Sequence, residues 1–262
     1  MLQPIRSEYA IVGQGPAVFL THGVGARRHV WDRVVEQLAP HFRCITYDLR
    51  GHGGSGGADQ PFGLDEFVAD LEALRTELNI ERAHFVGHSL GGMIVPAYAH
   101  AHPDRVKSVG LISTAAFRSP EAKVNLANFV KRIDHGGPAA VVDTLLERWF
   151  TDRFREDHPD VVAARKEQVL KLNPRVYRET YNVFATAETG PWLSDIGVPS
   201  LVMTGEFDAG CGPALNAKMA DVLPRSELKI LPDLRHSILV EAPEVVGAAL
   251  LPFLFSSETA RA

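Results

Sequence analysis

The chain has 262 residues, 45% of them hydrophobic and 23% charged, enough apolar content to bury a sizeable core and exclude disorder as the main state. Its formal net charge of −5 argues against nucleic acid or an anionic membrane as the main partner, because both select basic faces. No run approaches the roughly 18 apolar residues that span a bilayer, residues 1–6 lack the pattern of a signal peptide, and the spacing of Cys44 and Cys211 makes neither a disulfide framework nor a zinc site. A cytoplasmic enzyme is the default reading.

From the N-terminus, residues 8–12 and the turn Gly13-Gln14-Gly15-Pro16 predict an antiparallel edge strand. Short apolar runs at 17–21, 43–48, 83–87 and 106–112 follow, with helix-period segments at 30–38, 64–78 and 91–101 between them. This alternation is the signature of βαβ units and a mostly parallel sheet. Leu64, Phe67, Leu71, Leu74 and Leu78 form one apolar stripe, and Asp65 is read as the N-cap of that helix. After residue 112 the alternation stops. Helical patterns at 124–133, 139–150, 161–172 and 175–186 are separated by Gly136-Gly137-Pro138, His158-Pro159 and Asn173-Pro174. We read 118–195 as a helical cap inserted into a core of 1–117 and 196–262, above the sheet edge that holds ligands in open α/β folds. It carries 12 Lys plus Arg and 12 Asp plus Glu, a neutral count that gives no steering of an anionic substrate. Strands at 200–204 and 227–231 and helices at 213–222 and 242–254 complete the core.

The chemistry-bearing pattern is Gly87-His88-Ser89-Leu90-Gly91, which follows an apolar run and opens a helical segment. That context makes it a nucleophile elbow, a tight strand-to-helix turn projecting the Ser89 hydroxyl. A serine needs a base, and the base an orienting acid. His236 and Asp208 both fall just past late strands, at the sheet edge that carries Ser89. Glu206 is the nearest rival acid, with Asp195 and Asp233 behind it. Thr21-His22-Gly23-Val24-Gly25 suits an oxyanion loop, and the backbone N–H groups of Val24 and Leu90 are the two expected donors. His22 and His88 are read as structural. The glycine-rich stretch at 48–55 lacks the Lys-Ser/Thr ending of a phosphate loop; we read it as a loop bordering the site, with Arg50 tying backbone carbonyls.

Together the Ser89 elbow, the His22-Gly23 loop, Arg50-Gly51-His52-Gly53, Asp208 and His236 resemble the α/β-hydrolase superfamily over essentially the whole chain. The resemblance implies a mostly parallel eight-stranded sheet flanked by helices with an inserted helical cap. Within the cap, Glu147-Arg148-Trp149-Phe150-Thr151, Phe154-Arg155-Glu156 and His158-Pro159 are similar to 3-oxoadipate enol-lactonases, which hydrolyse an enol-lactone in aromatic catabolism. The expectation is a cofactor-free, metal-free serine hydrolase of a small ester or lactone, with catalytic Ser89, Asp208 and His236. Trp149 is a candidate pocket wall, and Arg118 and Arg148 are candidate carboxylate clamps. Hydrolysis of a C–C bond or an amide by the same three residues is the alternative. A non-catalytic receptor for a small ligand is the reading from another class.

Overall fold

The structure, a computed structural model, describes residues 3–57 and 59–259; the first two residues of the N-terminal segment read above lie outside it. In chain order, β1 (Tyr9–Val12), β2 (Ala17–Thr21) and α1 (Asp32–Leu38) lead to β3 (Arg43–Tyr47) and α2 (Leu64–Glu77). Next come β4 (Ala83–His88), α3 (Gly91–Ala101) and β5 (Val106–Ile112). Five helices follow before the sheet resumes: α4 (Pro120–Gly136), α5 (Val142–Trp149), α6 (Asp152–Asp157), α7 (Pro159–Lys171) and α8 (Pro174–Thr186). The chain ends with β6 (Ser200–Gly205), α9 (Pro213–Val222), β7 (Ser226–Leu231), α10 (Ile238–Glu241) and α11 (Pro243–Thr259).

One sheet runs in the order β1-β3-β2-β4-β5-β6-β7, with β1 antiparallel to β3 and every other pair parallel. Eight strands were implied, but the described residues hold seven: the chain enters the sheet at the edge strand β1, and residues 3–8 before it form no strand. From β2 the chain moves outward to β3, then returns to place β4 on the other side of β2. That reversal is a topological switch point, which opens a crevice beyond the C-terminal ends of the two central strands.

Successive strand residues point to opposite faces, and β2 shows why both faces must be covered. Val18 and Leu20 join an apolar cluster with Trp31, Leu38, Val246 and Leu250, under α1 and α11. Phe19, between them, joins Phe67, Leu71, Met93 and Tyr98, under α2 and α3. Its ring stacks on Phe85 of β4 with centroids 5.2 Å apart. Each such fully buried side chain contributes roughly 1.5–3 kcal/mol of transfer free energy. The near-continuous apolar strands of the sequence are the result of this two-sided burial.

Local signals set the helix starts. Pro120, Pro159, Pro174, Pro213 and Pro243 each open a helix, where a missing N–H costs nothing. Ser119, Thr151 and Asn173 cap α4, α6 and α8 with their side-chain oxygens. Asp65 is not the N-cap of α2. Gly63 holds that place, and its N–H donates to the Glu66 carboxylate at 2.6 Å; Asp65 lies in the first turn, where its charge favours the positive end of the helix. No strand interrupts the helices between β5 and β6 among the described residues. No described helix is long and apolar enough to cross a membrane.

Candidate active site

Ser89 stands between the end of β4 and the start of α3 with a φ of +56°. A left-handed backbone is costly for a serine, on the order of 1–2 kcal/mol, and the surroundings hold it there. Its N–H donates to Ile112 O at 2.8 Å, and its carbonyl accepts from Thr114 Oγ1 at 2.8 Å. The flanking glycines are steric necessities: a Cβ on Gly87 would lie 2.1 Å from Gly91 O, and one on Gly91 would lie 2.3 Å from Thr21 O. The hydroxyl is thus aimed into the crevice beside the end of β2.

The turn after β6 brings Asp208 to the same edge, and the loop after β7 brings His236. His236 Nδ1 donates to Asp208 Oδ2 at 2.7 Å, while Asp208 Oδ1 accepts the N–H groups of Gly210 and Cys211 at 3.0 and 2.8 Å. Burial alone would raise the Asp208 carboxyl, but the His236 imidazole and these donors outweigh it and the net shift is downward. Burial also opposes charging of His236; the adjoining Asp208 carboxylate overrides it and raises the imidazole above its ordinary value. The rival acids lie elsewhere. Glu206 accepts the Asp233 N–H at 3.2 Å, Asp233 itself is exposed, and Asp195 sits 3.9 Å from His100. Ser89 and His236 line one cavity. No hydrogen bond joins Ser89 Oγ to His236 among the described residues, and such nucleophile–base bonds are often long until substrate closes around them.

The loop after β2 is held by two neutral histidines. Burial, then the neighbouring His52, keeps His22 well below its ordinary pKa. Its Nδ1–H donates to Gly23 O at 2.8 Å, and its Nε2 accepts the Leu49 N–H at 3.0 Å, so its structural reading matches what is seen. Burial likewise lowers His52 to about 4; its Nε2 accepts the Gly25 N–H at 3.2 Å. Among the described residues, neither the Val24 nor the Leu90 amide has a backbone acceptor outside the regular elements. Arg50 does more than tie carbonyls: it grips the Asp70 carboxylate at 2.6 and 2.7 Å, with longer bonds to Gln3 O and Glu66 O. His88, lowered to about 3 by burial and the neighbouring His236, donates from Nε2 to His236 O at 3.0 Å.

Above these groups the cap helices enclose a cavity of about 1090 Å³. Trp149 lines it and is also part of the core, at 8% exposure. Arg118 and Arg148 line it too. Arg118 is buried, with Nη1 donating to Phe184 O at 3.0 Å and its guanidinium 4.5 Å from the Phe184 ring centroid. No carboxylate lies within 4.0 Å of Arg118, Arg148 or Arg165 among the described residues. The neutral count of the cap therefore conceals a sorting of charge: Arg118, Arg132, Arg148, Arg165 and Lys171 face the cavity, against one cap acid, Glu167.

Arg165 was missed in the sequence, because a lone arginine in a polar helix carries no local signal. It donates from Nη2 to Val24 O at 3.1 Å and from Nη1 to Gly25 O, and lies 4.7 Å from the Trp149 ring centroid. Burial lowers its pKa to about 10, leaving it charged at neutral pH. Cys211 entered the sequence reading only through its spacing from Cys44, which makes no disulfide framework or zinc site. Its thiol is buried, and its ligand atom lies within 4.8 Å of those of Asp208 and His236.

The family model for the alpha/beta hydrolase fold matches residues 16–243. The chain belongs to the alpha/beta hydrolase fold family. Among alpha/beta hydrolases it is 28% identical over 250 residues to 3-oxoadipate enol-lactonase 2 of Acinetobacter baylyi, covering 95% of this chain and 92% of that one. It is 27% identical over 254 residues to the (E)-2-((N-methylformamido)methylene)succinate hydrolase of the same organism, covering 95% and 94%. In structure it is similar to the enol-lactonase from Burkholderia xenovorans LB400, with a TM-score of 0.88, 29% identity, and 96% and 97% of the two chains covered. This alpha/beta hydrolase is therefore a hydrolase by family and enol-lactonase-like in sequence and shape.

Proposed function

We propose that the protein is a serine hydrolase of a small ester or lactone. The observation that carries this reading is the 2.7 Å bond from His236 Nδ1 to Asp208 Oδ2 on the wall of the cavity that Ser89 also lines. Ser89 attacks the carbonyl carbon as His236 Nε2 takes the hydroxyl proton. Asp208 holds the imidazole in the tautomer that leaves Nε2 free and stabilises the imidazolium. The Val24 and Leu90 amides receive the oxyanion, each worth about 2.7–4 kcal/mol if it acts as such donors do. His236 then protonates the leaving alcohol, and water attacks the acyl-enzyme by the reverse relay. No cofactor or metal enters this scheme.

The cap supports a narrower reading of the substrate. A buried guanidinium with no carboxylate partner among the described residues, Arg118, on the wall of the cavity that Arg148 also lines favours an acyl or lactone part that carries its own carboxylate. Trp149 supplies an apolar wall. Hydrolysis of an amide is the second reading, favoured by the similarity to a hydrolase whose name specifies an N-methylformamido group.

The test is turnover of p-nitrophenyl acetate, an enol-lactone and a simple secondary amide by the wild type, Ser89→Ala and His236→Ala. The expected outcome is ester and lactone hydrolysis lost in both variants, with circular dichroism unchanged. Full turnover by Ser89→Ala would remove the nucleophile; amide turnover exceeding that of both oxygen esters would give the second reading precedence.

A further inference from the structure

We propose that Asp208, Cys211 and His236 form an inhibitory site for a thiophilic divalent cation such as Zn²⁺ or Cd²⁺. One carboxylate oxygen, one sulfur and one imidazole nitrogen lie within 4.8 Å of one another. Tetrahedral bonds of about 2.0–2.3 Å put ligand atoms roughly 3.3–3.8 Å apart, so adjustments of about 1 Å bring all three onto one ion. A set of thiolate, imidazole and a single carboxylate suits zinc-like ions and disfavours Mg²⁺ or Ca²⁺, which take mainly oxygen.

The donors are already organised. Asp208 Oδ1 is occupied by the Gly210 and Cys211 amides, leaving Oδ2 toward the imidazole. The turn carrying the thiol is fixed by Asn216 Nδ2, which donates to Cys211 O at 2.6 Å and to Gly212 O at 3.0 Å, and by Thr204 Oγ1, which donates to Cys211 O at 2.9 Å. Asp208, Cys211 and His236 all line the cavity, which supplies an entry path and room for water at a fourth position.

Binding displaces the Cys211 thiol proton to solvent and joins sulfur, carboxylate and imidazole to the ion. Either mode of imidazole binding removes the base. An ion on Nδ1 forces the remaining ring proton onto Nε2, and an ion on Nε2 occupies the lone pair itself. The other cysteine does not compete: Cys44 lies in the core under α1, with its thiol pushed up to about 12 by burial.

The experiment titrates the full chain with Cd²⁺ and reads the ultraviolet thiolate-to-cadmium charge-transfer band, which does not depend on turnover. The wild type is expected to develop the band at one equivalent and lose it on addition of Zn²⁺, while Cys211→Ala and the better-filling Cys211→Ser do not develop it. In parallel, the Zn²⁺ concentration that halves p-nitrophenyl acetate hydrolysis should rise in both variants by at least the roughly 10–100-fold that losing even a supporting group costs a metal site. A band that persists in both variants, or unchanged Zn²⁺ sensitivity relative to each variant's own rate, would overturn the proposal. A chain that shows the band but hydrolyses none of the substrates would keep the metal site and remove the serine hydrolase reading.

Discussion

Arg165 Nη2 donates to the carbonyl oxygen of Val24 at 3.1 Å, joining α7 of the cap to the loop whose amide we propose as an oxyanion donor. A second bond from Nη1 to Gly25 O makes the tether two-pronged. Charge-assisted bonds of this kind contribute roughly 1.5–3 kcal/mol. Arg165→Met should therefore lower kcat for p-nitrophenyl acetate by about 10–100-fold with little change in KM, and Arg165→Lys should recover part of it. A rise in KM confined to carboxylate-bearing esters would instead assign Arg165 to substrate binding.

Asp208→Asn keeps the shape of the acid but removes its charge and the tautomer preference. The expected loss in kcat is on the order of 10⁴. The pH profile carries a second signature. The proposed relay needs neutral His236, and Asp208 raises that imidazole, so kcat/KM of the wild type should climb with pH along a limb above the ordinary histidine value of about 6.5. In Asp208→Asn the limb should move to lower pH. A limb left in place would show that another group sets it.

Four buried imidazoles make stability depend on pH in the opposite direction to His236. Burial is the largest cause in each case, holding His22 well below its ordinary value, His52 and His84 at about 4, and His88 at about 3. Below about 6.5 the unfolded chain binds protons that these four sites refuse. Each then loses stability at about 1.36 kcal/mol per pH unit until its folded pKa is reached. His236, raised in the fold, has the opposite sign: its contribution is complete below about 6.5 and fades as pH rises through its folded value. Four against one, unfolding by urea should show stability falling steadily from pH 7 to pH 5. A flat or rising profile would contradict the neutral assignments of these rings.

Arg118→Met should raise KM for a p-nitrophenyl ester bearing a free carboxylate by about tenfold or more, the equivalent of one charge-assisted contact. The same variant should leave KM for p-nitrophenyl acetate nearly unchanged. Equal effects on both esters would reduce Arg118 to a packing residue under Phe184.

Much of this architecture could be read from the residues because the determining interactions are local or periodic. The apolar runs of β2, β4, β5 and β6 reflect burial on both faces, and the Gly87-to-Gly91 spacing reflects a turn that only small residues fit. The segment at 139–150 shows where this stops. Its helical pattern spans a 3-10 turn at Pro138–Ala140 and the shorter α5, because the Val141 backbone, at φ −131° and ψ −18°, breaks the run between them. The neutral sum of the cap stands, but a sum over residues is blind to which face each occupies, and the cavity-lining arginines come from segments far apart in the chain. Arg165 and Cys211 matter only through what folding brings beside them, the carbonyl of Val24 in one case and the imidazole of His236 in the other.

The hydrogen bond from Ser237 N to Trp149 O, at 2.9 Å, joins the residue after His236 to the last residue of α5. Arg235 reinforces the joint with bonds to Glu147 O and Phe150 O. The roof is thus riveted to the loop bearing the imidazole, and through Arg165 to the loop opposite. Lifting α5 would pull on the segment that carries His236, so we expect ligand traffic to use side-chain rotation or the α4–α8 flank, which takes no part in these two joints.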